Sequence, residues 1–341
     1  MPAEAVPAEA GERRRSWLRT ALSAAIGVAL LVTLLWHTGL DQLNDRLDQL
    51  KWLSPLVLLP YLCVTIVDAL SWRWALSAEL RHRVPLLTLF FARMAGEAVN
   101  SVTPTATLGG EPVKAHLLRA YDVPISDGLA SIVVAKTALT IAQSLFTAVG
   151  FVGLLVVLDH AELATMGLLL MLSVLAAFTY VLLYVQQRNP ATAIVRMLAR
   201  FLPRARFVAR LRAGAHALDE RLVDFYRGER RAFVRSTTLN LVGWIFGVVE
   251  VQLIVTLADH PISWLEAFVI EAVAQPIRAV SIVIPGGLGA QEWGGAAFCE
   301  YLGMPEDVAV TLWLLKRARE TFFDLIGLLY LGWRTSIKRD A

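Results

Sequence analysis

The chain is poor in cysteine, in charge and in catalytic signatures, and each shortage narrows what it can be. Its 341 residues include two cysteines, Cys63 and Cys299. Both lie inside apolar text at no metal-ligand spacing, so two small buried hydrophobes are the simplest reading. Charged residues make up 18% of the chain, against about 25% in soluble domains. No Gly-x-x-x-x-Gly-Lys-Ser/Thr, His-Glu-x-x-His or Gly-x-Ser-x-Gly occurs. These absences argue against a P-loop ATPase, a zincin and a hydrolase built on a nucleophile elbow. No cofactor and no metal are expected, and the chain is not expected to be an enzyme.

What is abundant is apolar residue, at 56% with a mean hydropathy of +0.56. One soluble core of this size cannot hide that much, whereas a helical bundle facing lipid can. Apolar runs at 17–37, 52–76, 126–158, 164–186, 236–258 and 307–333 each meet the ~20-residue length of a membrane-crossing helix. The run 126–158 is longer than needed and is expected to tilt, or to bend near Gly150 and Gly153. The fold class is therefore all-α, a polytopic membrane helical bundle. It divides into an N-terminal tail, 1–16, a transmembrane domain, 17–333, and a C-terminal tail, 334–341. Arg13, Arg14 and Arg15 precede the first run, which is long enough to span and is expected to stay uncleaved.

Basic residues fix an expected orientation. Arg81, Arg83, Lys114 and Arg119, twelve arginines within 187–235, and Arg334, Lys338 and Arg339 fall on alternate connections. The intervening connections 159–163, 259–262 and 303–306 hold no Lys or Arg. Only 38–51 breaks the pattern, with Arg46 and Lys51 beside three aspartates. The positive-inside rule then places both termini in the cytoplasm. The arginine-rich 187–235 segment reads as a cytoplasmic amphipathic helix on anionic headgroups. It lacks the aromatic platform or motif of a nucleic-acid binder.

Two regions, 85–121 and 263–302, carry Gly, Pro and charge within membrane-length text. Both flanks of the first look cytoplasmic and both flanks of the second external. Each is either a re-entrant hairpin, the pair dipping from opposite faces as an inverted repeat would give, or a distorted span. In the first, Thr103-Pro104 ends one helix and Gly109-Gly110 turns the chain. Glu111-Pro112 opens a second helix that carries Lys114 and Arg119. A helix N-terminus inside the membrane is a natural anion site, and a headgroup phosphate is the obvious occupant. In the second, Pro285-Gly286-Gly287 breaks the chain before Gly289, and Glu292 falls in the first turn of the next half-helix. A charge at mid-membrane costs roughly 2.5–3.5 kcal/mol on insertion scales, so such residues face an interior or a cavity. Structural pairing is the competing use for Glu97, Arg93 and Arg278.

The last run adds Lys316, Arg317, Arg319, Glu320 and Asp324. Arg317, Glu320 and Asp324 share a face at i, i+3, i+7, and Lys316 reaches Glu320 at i, i+4. Lys136 is another intramembrane partner. Glu250, Glu266 and Glu271 suit either a proton relay or satisfied cavity positions.

The stretch Asn100–Arg119, with its Gly-Gly-Glu-Pro-x-Lys core, resembles the first signature of the lysylphosphatidylglycerol synthase transmembrane, or flippase-like, family. Ile284-Pro-Gly-Gly-Leu-Gly-Ala-Gln-Glu292 looks like its second, and the charged final run is similar to its last helix. Residues 68–74 and 96–100 look closest to the hopanoid-biosynthesis-associated branch. The resemblance covers about residues 15–335 and implies an inner-membrane protein of about eight membrane segments, lacking the soluble synthase domain of bifunctional members. It implies a transporter that moves an anionic or aminoacylated phospholipid, or a hopanoid, between leaflets. The expected headgroup pathway comprises Glu97, Asn100, Gly109, Gly110, Glu111, Lys114, Arg119, Arg278, Pro285, Gly286, Gly287, Gly289, Glu292, Arg317, Glu320 and Asp324. Two rivals stand beside this: an intramembrane lipid-modifying enzyme, and a scaffold that holds a lipid-synthesis enzyme through 187–235.

Overall fold

The computed structural model describes residues 54–103, 109–158, 206–281, 284 and 287–337, with scattered positions between Met166 and Val195. The expected first span, most of the 164–186 span and residues 104–108 lie outside the described residues, as do Pro285 and Gly286. Every regular element described is helical. After a 3-10 turn at Ser54–Val57 come α1 (Leu58–Ala75), α2 (Ala78–Arg81), α3 (Leu86–Val102), α4 (Glu111–Leu118), α5 (Ile125–Val157), α6 (Arg206–Gly228), α7 (Arg230–Leu257), α8 (Trp264–Val280), α9 (Ala290–Tyr301) and α10 (Glu306–Ile337).

Three of these are long and apolar enough to cross a membrane: Pro55–Ala75, Ile125–Val157 and Arg230–Leu257. At 33 residues, α5 is about 50 Å long and exceeds the ~30 Å hydrocarbon layer. It runs as one helix. Gly150 and Gly153 serve close packing, because a Cβ on Gly150 would sit 2.0 Å from Ala272 Cβ of α8. With 32 residues, α10 is nearly as long, but charge in its middle keeps it from reading as an apolar span.

The two irregular regions each fold as helix, break, helix. Pro112 sits in the first turn of α4, where its missing N–H costs nothing. Gly287 and Gly289 hold φ of 65° and 74°, left-handed conformations that favour glycine and turn the chain into α9. α8 opens with a reciprocal cap. Glu266 N–H donates to Ser263 Oγ (3.2 Å) and Ser263 N–H donates to Glu266 Oε2 (2.7 Å). Glu266 is thus a capping residue at the start of α8.

The packing repeats across the two halves of the chain. Each half has a span (α1 or α7), a broken hairpin (α3–α4 or α8–α9) and a long helix (α5 or α10). The two spans pack on each other, while α3 packs on α10 and α8 on α5. The second helix of each hairpin packs on its own half's long helix, α4 on α5 and α9 on α10, so each hairpin straddles both long helices. Two apolar cores result. One gathers Ala69–Leu76 of α1, Ala130–Val134 of α5 and Ala232 of α7. The other gathers Phe146 of α5, Val248–Val255 of α7 and Val308–Trp313 of α10. Between them the same helices turn polar.

The basic segment differs from expectation. Leu222 and Phe225 of α6 are buried in the first core, and Arg221 pairs with Asp127 of α5 at 3.2 Å. The apolar face of this helix covers protein, because the ends of α1, α2 and α5 offer a complementary apolar surface. Beside it, Trp74 lies between the guanidinium groups of Arg81 (4.4 Å) and Arg235 (4.5 Å).

Candidate functional site

The polar layer between the cores begins with the first hairpin. Asn100 is buried, and its Oδ1 accepts the Gly110 N–H at 2.7 Å. One amide at the N-terminal end of α4 is thereby satisfied within the protein. The neighbouring side chains form a chain of charges. Lys114 contacts Glu97 (2.6 Å) and Glu111 (3.4 Å), and Lys136 of α5 reaches Glu111 at 2.7 Å. Arg93 pairs with Asp68 of α1.

The second hairpin repeats the device. Glu292, in the first turn of α9, pairs with Arg317 of α10. Glu111 and Lys136 are 25 residues apart, and so are Glu292 and Arg317. Seven residues beyond those cations stand Gln143 and Asp324. Gln143 bonds to Gln275 of α8 at 3.3 Å, and Asp324 lines the cavity together with Ser101 of α3. Gln275 and Ser101 each follow, by four residues, an acid of the hairpin's first helix, Glu271 and Glu97. The two halves thus carry matching polar residues at matching places.

Lys316 is buried and pairs with Glu271 (2.7 Å) and Glu250 (3.1 Å). The expected i, i+4 contact with Glu320 is not made, because Lys316 points towards α7 and α8. Glu320 takes Arg317 (3.1 Å), Arg278 (3.4 Å) and Arg319 (3.9 Å). Arg319 also contacts Glu250 at 2.5 Å and stacks over the Tyr61 ring at 3.8 Å.

Around these groups lies an open cavity of about 330 Å³, lined by Tyr61, Asp68, Arg93, Glu97, Ser101, Gln143, Asn240, Trp244, Glu250, Glu271, Gln275, Arg278, Arg317, Arg319, Glu320 and Asp324 among others. A smaller space of about 70 Å³ adjoins it, shares Asp68, Arg93 and Glu97, and reaches Glu111, Lys114 and Lys136. Among the described residues the layer holds eight carboxylates (Asp68, Glu97, Glu111, Glu250, Glu271, Glu292, Glu320, Asp324). It holds seven cations (Arg93, Lys114, Lys136, Arg278, Lys316, Arg317, Arg319). A low-dielectric interior tolerates such groups only when they are paired. Seven of the carboxylates meet a cation within 4.0 Å. Some donors remain unused among the described residues, notably Arg278 Nε and Trp244 Nε1.

Of the expected pathway residues, Glu97, Asn100, Gly110, Glu111, Lys114, Arg278, Glu292, Arg317, Glu320 and Asp324 belong to this layer. Gly109, Gly287 and Gly289 shape its breaks. Arg119 does not join it; it is exposed at the end of α4. Asp68, Tyr61 and Asn240 were not anticipated as site residues. Asp68 carried a usable signal, a carboxylate inside an apolar run.

The profile of a family described as lysylphosphatidylglycerol synthase TM region matches residues 18–327. The chain belongs to this family. Two similar proteins are both named UPF0104 membrane proteins. One, from Methanothermobacter thermautotrophicus, is 25% identical over 313 residues, covering 87% of this chain and 90% of the relative. The other, from Pyrococcus horikoshii, is 22% identical over 307 residues, covering 86% and 90%. No solved structure matches. The protein is a helical membrane protein of the lysylphosphatidylglycerol synthase TM region family.

Proposed function

We propose that the protein moves a lipid headgroup across the membrane through the charged cavity. The observation that carries this reading is the polar layer held between two apolar cores and flanked by a broken hairpin from each half. A charged cavity at that depth has little structural use, because well-packed apolar residues are commonly as stable as buried ion pairs. A pathway for a charged headgroup does need it. Arg278 Nε and Trp244 Nε1 supply spare donors for phosphate oxygens. The acyl chains would stay in lipid beside the exposed apolar faces of α5 and α10, such as Val149, Val156 and Leu329.

In this reading the membrane is the bacterial inner membrane, both termini are cytoplasmic, and the hairpins enter from opposite faces. Transport proceeds by rocking the two matched halves, and no bond of the lipid is made or broken. The test is leaflet exchange of fluorescent phosphatidylglycerol, and separately of aminoacylated and hopanoid lipids, in vesicles containing purified protein. Movement by the wild type that stalls in Glu111→Gln and Glu292→Gln supports the site. Wild-type movement in both variants rejects it, and turnover of the labelled lipid by the protein alone favours an enzyme.

A further inference from the structure

Among the described residues the polar layer carries one more negative group than positive, and the geometry identifies which. Asp324 lines the cavity, as does Ser101 of α3, yet makes no ion pair within 4.0 Å among the described residues. Its counterpart in the first half, Gln143, lines the same cavity and is neutral. The two halves match in the hairpin acid, the long-helix cation and the cross-half contact. They differ here by one ionisable group.

We propose that Asp324 is a proton-binding site whose loading and release couple lipid movement to the transmembrane proton gradient. The coupling rests on the transport reading above; the proton site does not. Four observations favour a proton over a metal ion or a permanent charge. Hard cations need several oxygen ligands, and no described group of acids, histidines or cysteines forms a metal cluster. A lone carboxylate charge in a membrane interior is costly, whereas its neutral acid is not. Ser101 serves both states, since its hydroxyl has one proton and two lone pairs. With that proton given to the Glu97 carbonyl, at 3.1 Å, Ser101 Oγ is free to accept from a protonated Asp324; rotated, it would donate to the carboxylate. Finally, the open cavity gives water a route to the group.

The surroundings set how the site titrates. On its own helix Asp324 faces Arg317 and Glu320, with Lys316 and Arg319 on the turn before. From α3 it faces Arg93 and Glu97, and from α1 Tyr61 and Asp68. Glu250 of α7, Glu271 and Arg278 of α8 and Glu292 of α9 complete the ring. All of these except Tyr61, a phenol, are held in ion pairs, which leaves Asp324 as the carboxylate of the ring without one.

The experiment begins with infrared difference spectra of the purified protein across a pH titration. A carboxylic-acid carbonyl band that grows as pH falls is expected in the wild type. It should vanish in Asp324→Asn and in Asp324→Gln, which copies Gln143, and shift its midpoint in Ser101→Ala. A band unchanged in every variant that folds overturns the site. Vesicles with fluorescent phosphatidylglycerol then test coupling. Wild-type exchange should change several-fold under an imposed pH gradient, and Asp324→Asn exchange should ignore the gradient. If the wild type shows the titrating band but moves no lipid under any gradient, the transport reading fails while the proton site stands. If lipid moves indifferently to pH in both proteins, the coupling fails while transport stands. A sodium requirement at fixed pH, lost in Asp324→Asn, overturns the proton in favour of a metal cation.

Discussion

Lys316 shows how one side chain can hold several helices. Its amine is buried on α10 between Glu271 of α8 and Glu250 of α7. Removing the amine leaves Glu271 without its ion-pair partner, while Glu250 keeps Arg319; orphaning a buried charge in this way costs about 3–5 kcal/mol. Lys316→Met should therefore sharply lower the detergent melting temperature, and Glu271→Gln in the same chain should restore part of it. Equal melting of the single variant and the wild type would count against the pairing. Much at this scale was legible beforehand. Arg317, Glu320 and Asp324 were placed on one face by their spacing alone, and Glu111 and Glu292 by the breaks before them. The partners of Lys316 were not legible. A residue's near neighbours in sequence suggested Glu320, whereas the true partners lie 45 and 66 positions away, and only helix packing brings them close. Asn100 was likewise expected in the pathway but not as the cap of Gly110, because a capping contact across a ten-residue break leaves no periodic trace.

At the scale of elements, glycine separates the packed hairpin from the exposed helix. A Cβ on Gly110 would fall 1.9 Å from the Gly96 carbonyl oxygen, while one on Gly214 of α6 meets nothing within 4 Å. Overpacking a tight contact costs typically about 1–3 kcal/mol. An exposed helical Gly→Ala gains roughly 0.5–1 kcal/mol. Gly110→Ala should thus melt earlier than the wild type and Gly214→Ala slightly later, read by thermal unfolding in detergent. The pair distinguishes packing from a general intolerance of alanine. The existence of both breaks could be read from Thr103-Pro104-x-x-x-x-Gly109-Gly110 and Pro285-Gly286-Gly287. Where the basic helix α6 docks could not. An amphipathic face is the same text whether it covers lipid or protein, and Leu222 and Phe225 are buried by residues far away in the chain.

At the scale of the whole molecule, the asymmetry of Lys and Arg predicts which surfaces face which compartment. Arg83 and Ala120, at the two flanks of the first broken hairpin, are both exposed, and so is Pro261 before the second. Single cysteines at Arg83 and Ala120, in a background free of Cys63 and Cys299, should react with an impermeant maleimide only from the cytoplasmic side. A cysteine at Pro261 should react only from outside. Labelling of Arg83→Cys and Ala120→Cys from opposite sides would make the first region a span. The repeat itself was foreshadowed by two broken segments, but its clearest mark is the shared 25-residue interval between hairpin acid and long-helix cation.

The crossed seating of the hairpins has a kinetic consequence. Because each hairpin rests its first helix on the other half's long helix and its second on its own (α3 on α10 and α4 on α5; α8 on α5 and α9 on α10), neither hairpin can leave its seat without shifting the helices that carry its counterpart. Two gates built this way share a single degree of freedom. In the transport reading, opening one towards its own leaflet would close the other as part of the same displacement, which would suppress leaks and leave the cycle one slow relaxation instead of two.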